Sequence, residues 1–215
     1  KSLDCFADFA KTSEDLLKVS QYKAKATFEK NKNISKKNFK FLESINMKVN
    51  FIDINESNIS RATQLCKKTN QLNLRLIRHD EDSINNMSKT PNSLIFLVEL
   101  KDDFGDHGII SLLIIQEHKE KKAAFLNTFL MSCRVLGREL ESMIFIKLKK
   151  DLLEMGYTKL IAEFVSGERN TPAKKLLDKM NFNYINREKK VSYYSVDINK
   201  WNINNTDLIK KIYKL

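Results

Sequence analysis

The sequence predicts an α+β (mixed α/β) domain: a twisted mixed sheet of about six to seven strands flanked by helices, preceded by a helical arm. Three observations predict it. Residues 93–100, 109–116 and 123–132 are consecutive runs rich in Leu, Ile, Val and Phe, joined by short polar segments, as in an antiparallel meander. The third run leads into a helical ladder and then another buried run, TKLIAEFV, and that step requires a parallel, right-handed crossover. Hydrophobic residues make up 42% of the 215 residues and charged residues 30%, a balance that can fill a globular core.

Taken in order, residues 1–45 read as a polar helical arm. Thr12 or Ser13 can cap a helix carrying Leu16, Leu17, Tyr22 and Ala26, and a shorter helix holds Phe39, Phe41 and Leu42. The main domain, residues 46–215, opens with MKVNFIDI, which alternates as a strand does. Asn55 and Ser57 are cap candidates for a helix through Ile59, Ala62, Leu65 and Cys66. LNLRLIRH is expected to be extended, and Asp80 to cap a short helix ending near Ser88. Gly105 and Gly108 supply turn conformations after the first strand of the meander.

The ladder Leu136, Leu140, Ile144, Leu148 and Leu152 predicts a long helix starting directly after the central strand, with Gly156 at its C′ position. A helix over residues 170–180 takes Pro172 in its first turn and stops at Asn181, which tolerates the left-handed conformation. Residues 182–184 and 191–196 give closing strands, and a small helix ends the chain.

The formal net charge is +11. Its lysines are dispersed, apart from Lys30, Lys32, Lys36, Lys37 and Lys40, so the charge reads as a compositional bias towards Lys, Asn and Ile rather than as a nucleic-acid site, and a positive surface would also favour an acidic protein partner. No zinc motif and no aromatic–basic run supports nucleic-acid binding. No run approaches the ~20 apolar residues of a membrane span, so no membrane role is expected. Three widely spaced cysteines, Cys5, Cys66 and Cys133, predict a reducing, cytoplasmic setting, and no spacing of Cys or His predicts a metal site.

Two segments carry a resemblance. CRVLGRE, between the central strand and the long helix, resembles the Q/R-x-x-G-x-G/A loop of the GNAT N-acetyltransferase superfamily, with Glu139 in place of the last Gly or Ala. NTPAKKLLDKMNF resembles a second GNAT pattern through Asn170, Ala173, Leu176, Lys179 and Phe182, with Leu177 where many members have a Tyr. A narrower likeness runs from about residue 12 to 185. KTNQLNLRLIRH, LKDDFGDHGII and FLNTFLMSCRVLGRELE are similar, in that order, to the C-terminal half of FkbH-like proteins. Asp103, Asn127, Ser111 and Glu139 depart from that pattern.

The resemblance implies an acyltransferase domain that moves an acyl group, a glyceryl unit in the FkbH-like case, to or from a pantetheine thiol of an acyl carrier protein or coenzyme A. It implies a HAD-type half in cis or in trans, with residues 1–45 as the junction. Coenzyme A or phosphopantetheine is then the cofactor. Splayed strands at Leu130 and Ser132 would hold the pantetheine arm, and Arg134, Gly137, Arg138 and Asn170 would complete its site. The alternative is a non-catalytic GNAT-like module that docks a carrier protein or the HAD half.

The residues themselves leave pairs of readings open. Cys133 is either a thiol activated at a helix start and able to carry a thioester, or a small packing residue. Asp106 and His107 are either a base with its partner or good turn formers. Asn70, Gln71 and Asn73 either bind substrate amides or hydroxyls, or line a polar helix end. Arg134 and Arg138 either pair with phosphate or are surface charges.

Overall fold

The computed structural model describes residues 13–34 and 38–214. Cys5, Thr12, Lys36 and Lys37 lie outside the described residues. Two arm helices, α1 (Ser13–Ile34) and α2 (Asn38–Ser44), lead into β1 (Lys48–Asp53) and α3 (Ile59–Lys68). A two-residue strand, β2 (Leu72–Asn73), and α4 (Glu81–Ser88) follow. The meander is β3 (Leu94–Asp102), β4 (Gly105–Glu117) and β5 (Ala123–Met131). Then come α5 (Leu140–Glu154), β6 (Lys159–Val165), α6 (Thr171–Lys179), β7 (Asn183–Glu188), β8 (Val191–Asp197) and α7 (Thr206–Tyr213).

Among the described residues the strands form one eight-stranded mixed sheet in the order β1-β3-β4-β5-β6-β8-β7, with β2 set against β5. Only β5 and β6 run parallel, as the crossover through α5 demands. Alternating side chains feed two cores. Leu97, Leu112, Ile114 and Leu130 face Ala62 and Cys66 of α3 and Ile84 of α4. Phe96, Val98, Leu113, Ile115, Phe129 and Met131 face the leucine ladder of α5 on the other side. Phe28, Leu42 and Ile45, from the arm and just after it, belong to that second core, so the arm packs on the domain. No helix among the described residues is long and apolar enough to cross a membrane.

Local chemistry accounts for several boundaries. The Asp80 carboxylate accepts from Ser83 N at 2.8 Å and starts α4. Gly156 (φ 81°) and Asn181 (φ 57°) take the left-handed conformation after α5 and α6. α3 has Asn58 as its N-cap, rather than Asn55 or Ser57. Asn55 instead folds an Asx turn onto Ser57 N at 2.9 Å.

Two expectations need correction. LNLRLIRH is a strand only at Leu72–Asn73. The long helix begins at Leu140, not directly after β5. Between them Cys133–Val135 form a 3₁₀ turn, and Gly137 (φ 87°) and Glu139 (φ 60°) are left-handed, which no continuous helix allows.

Candidate active site

A cleft of about 870 Å³ opens between α3, the start of β4 and the end of β5. That is within the range of small-molecule sites. Cys133 lies on its wall and is exposed, whereas Cys66 is buried in the core under α3. Burial pushes the Cys66 thiol pKa up, as suits a packing residue. Ser132, Arg134, Asp106, His107, Asn70 and Gln71 line the same cleft. Among the described residues, five cationic side chains, Lys25, Arg61, Lys68, Arg134 and Arg169, face it against one carboxylate, Asp106. Reasoning from sequence missed Arg61, Lys68, Lys25 and Arg169. Arg61, Gln64, Leu65 and Lys68 share one face at helical spacing, the signal that could have found two of the four.

Two guanidiniums are fixed by the backbone of β4. Arg134 Nη2 donates to His107 O at 2.7 Å, and Arg61 Nη2 donates to Ile109 O at 3.3 Å. Burial, and then the charge of Arg61, press the pKa of Arg134 down. Burial does the same to Arg61. The two therefore sit within electrostatic reach of each other, an arrangement that a bound anion relieves.

The expected Asp106–His107 pair does not form. Asp106 Oδ1 accepts from Gly108 N at 2.9 Å and shapes the turn. His107 turns inward, and its Nε2 lies 2.9 Å from Asp102 Oδ1. The other Asp102 oxygen accepts from Arg138 Nε at 2.7 Å. Burial alone would raise the Asp102 pKa, but hydrogen bonds from His107 and Arg138 outweigh it and hold the carboxyl below its usual value.

Arg138 is fully buried, with its guanidinium 3.9 Å above the Phe28 ring, so it takes no part in the cleft. Gly137 is also unavailable. Its carbonyl accepts from Lys32 Nζ at 2.9 Å, and the arm occupies the close approach that its missing side chain permits.

The splay expected at Leu130 and Ser132 exists, but the chain fills it. β5 and β6 pair only over Ala123–Leu126 and Lys159–Ala162, then diverge. Into the gap goes β2, pairing Leu72 with Met131 and Asn73 with Leu130. On the far side Val165 N donates to Leu74 O at 2.9 Å. Leu130 is consequently enclosed between β2 and β4, and its carbonyl accepts from Ser111 Oγ at 2.6 Å.

Asn170, expected to bind cofactor, clasps this insert instead. Its Nδ2 donates to Asn73 O (3.1 Å) and Val165 O (2.8 Å), and its Oδ1 accepts from Gly167 N (2.9 Å). Asn73 is buried, and its Oδ1 accepts from Leu76 N at 2.8 Å, so it does not face substrate. Asn70 Oδ1 accepts from Arg78. Arg75 closes the insert on both strands, at 3.3 Å from Asn127 O and 2.9 Å from Glu163.

Coenzyme A lying in the splay does not fit these residues. The strand edge it would pair with is already paired. Leu72 and Leu74 are anchored in the core, each contributing about 1.5–3 kcal/mol by burial. The start of α5 carries its own anion: Glu139 accepts from Ser142 Oγ at 3.1 Å and pairs with Lys179 at 2.7 Å. Among the described residues, no group of three or more His, Cys, Asp and Glu could hold a metal ion.

No family model matches the chain, and no curated protein does. Solved structures do. The ribosomal-protein-S18-alanine N-acetyltransferase from Escherichia coli superposes with a TM-score of 0.55 at 13% identity, over 73% of this chain and 97% of that one. The spermidine N-acetyltransferase from Vibrio cholerae, in complex with CoA and spermine, gives 0.55 at 12% identity, over 71% and 97%. A GNAT-family protein from Desulfovibrio desulfuricans gives 0.56 at 10% identity, over 70% and 99%. The fold is therefore that of the GNAT acetyltransferases.

Proposed function

We propose that this chain is an acyltransferase that holds the acyl group on Cys133 and exchanges it with the pantetheine thiol of an acyl carrier protein or coenzyme A. The observation that carries this reading is the exposed Cys133 thiol on the wall of a cleft rich in cations. The GNAT fold supports acyl transfer in general. The filled splay supports a protein thiol, rather than a coenzyme lying in the sheet, as the carrier.

The Cys133 thiolate, its proton released to the solvent that reaches it, attacks the carbonyl carbon of the incoming acyl thioester. A new carbon–sulfur bond forms, the bond to the pantetheine sulfur breaks, and the departing thiolate takes a proton from solvent. Arg134 follows Cys133 directly in the chain and lines the same cleft, so a cation stands beside the reacting sulfur. His107 acts as a positioning residue, since its ring is committed to Asp102 and its carbonyl anchors Arg134.

The FkbH-like motifs support a glyceryl unit as the acyl group and a HAD-type half, in cis or in trans, joined through the arm. The two free thiols among the described residues, Cys66 and Cys133, suit a reducing compartment such as the cytoplasm.

Incubation with glyceroyl-pantetheine or acetyl-pantetheine, read by intact-mass spectrometry, tests the proposal. A hydroxylamine-labile adduct mapping to Cys133 and lost in Cys133→Ser is expected. A folded protein without that adduct overturns the reading. If it still binds holo carrier protein, the docking-module alternative, which the closed splay also favours, takes its place.

A further inference from the structure

We propose that a pantetheine arm reaches Cys133 through the basic cleft and not along the β5–β6 splay, with its 4′-phosphate held between Arg61 and Arg134. The proposal rests on the reading above only for the sulfur atom that the arm must reach.

The splay route is closed by covalent continuity. The segment that fills it is the link between α3 and α4, paired to β5 on one side and bonded to β6 on the other. It is pinned by Asn170 from the loop before α6 and by Arg75 across both strands. Beyond the insert, His79 Nε2 lies 2.8 Å from Thr128 Oγ1 of β5, so the segment is tied at its far end as well. A pantetheine arm in the splay must break the β2 pairing and expose Leu72 and Leu74. The cleft asks for no rearrangement: it has the volume, and Cys133 is exposed on its wall.

The ligand class follows from the lining. A 4′-phosphopantetheine arm is a chain with two amides, ending in a thiol at one end and a phosphate at the other. Gln71 is exposed at the cleft for hydrogen bonding to amides. Arg61 and Arg134 are each half-buried, and each is held by a carbonyl of the same short stretch of β4, so the pair is preorganised. Two guanidiniums anchored on carbonyls two residues apart along β4 offer a phosphate, which accepts several hydrogen bonds at once, a donor from each. Asp106, the one carboxylate on the lining among the described residues, is engaged by Gly108 N. Coenzyme A and a carrier protein present the same arm and phosphate, so both can use this route.

Thiol–disulfide exchange tests the route without requiring acyl transfer. Pantetheine and pantetheine 4′-phosphate, each activated as the 2-pyridyl disulfide, are reacted with the full chain. The released pyridinethione gives the rate, and peptide mapping locates the adduct. The phosphate is expected to speed labelling of Cys133 about tenfold, the factor matching one charge-assisted contact. Arg61→Gln and Arg134→Gln should each bring the ratio of the two rates close to one, the comparison within each variant cancelling any change in the reactivity of the thiol itself. Hydrogen exchange on the Cys133 adduct should keep residues 72–76 protected and add protection at residues 61–68 and 107–109. Equal rates with and without phosphate, no adduct at Cys133, or loss of protection at residues 72–76 overturns the route.

Coenzyme A and an acidic holo carrier protein, activated the same way, should both label Cys133, and the faster of the two identifies the source of the arm. An adduct with phosphate preference but no thioester from acyl donors sinks the acyl-transfer reading and leaves the route standing.

Discussion

Asp102 is the residue on which the floor of the site depends. It lies just before the β3–β4 turn, where its Oδ1 also accepts from Phe104 N at 2.9 Å. One carboxylate thus orders a turn, a histidine and a fully buried arginine. Among the described residues, Nη1 and Nη2 of Arg138 have no hydrogen-bond partner, so its positive charge rests on Asp102 and the face of Phe28. Removing one partner of such a pair costs more than the pair contributes, because the other charge stays buried and unpaired. Asp102→Asn is expected to destabilise the fold by about 3 kcal/mol at pH 6, measured as a lower midpoint of urea unfolding. The sign with pH follows from its lowered folded pKa. The contribution is fully present above the unfolded carboxylate value of about 3.9 and is lost as pH falls through the folded value. Wild type should therefore lose midpoint steeply below about pH 4, and Asp102→Asn less steeply. Equal slopes would show that Asp102 carries no such linkage.

At the scale of elements, β2 has an effect far beyond its two residues. A parallel pair that diverges leaves unpaired N–H and C=O groups, which must find partners when buried. The link from α3 to α4 supplies them from within the chain. Asn170 makes the arrangement specific, because one side chain serves the backbone of the insert, of β6 and of the loop before α6. Asn170→Ala leaves three buried or half-buried backbone groups without that partner. A loss of about 2–3 kcal/mol in unfolding free energy is expected. Amide exchange at residues 72–76 should accelerate before that of β3 and β4. A change smaller than about 0.5 kcal/mol, typical of a surface site, would mean that the clasp does not hold the insert. The arm helix α1 acts likewise at the other end of the loop, where Phe28 covers Arg138 and Lys32 holds Gly137 O.

For the whole molecule, the +11 charge and the cations around the cleft have the same sign, so the general field and the local site favour the same kind of partner. An acidic carrier protein should be steered toward the protein over a range set by ionic strength, about 8 Å at physiological salt and about 3 Å at 1 M. Surface plasmon resonance against immobilised holo carrier should show association slowing steeply with salt while dissociation changes less. A salt-independent association rate would remove steering from the account. Equal binding to DNA would show the attraction to be unspecific.

What the sequence determined by itself is what neighbouring residues settle among themselves. Strand runs are written with period two and the α5 core face with period near four. The cap at Asp80 and the left-handed stops at Gly156 and Asn181 need only a few adjacent residues. The motif around Cys133 was legible because it is contiguous. The tertiary structure decided everything that joins distant segments. Asp102 and Asp106 are both close enough in sequence to serve His107, and a bulged hairpin chose Asp102. Asn170 reaches Asn73 across 97 positions and Lys32 reaches Gly137 across 105, so no local pattern records either bond. The open splay expected from the fold was filled for the same reason. Buried backbone groups must be paired, and which segment pairs them depends on which one the folded chain brings to the gap.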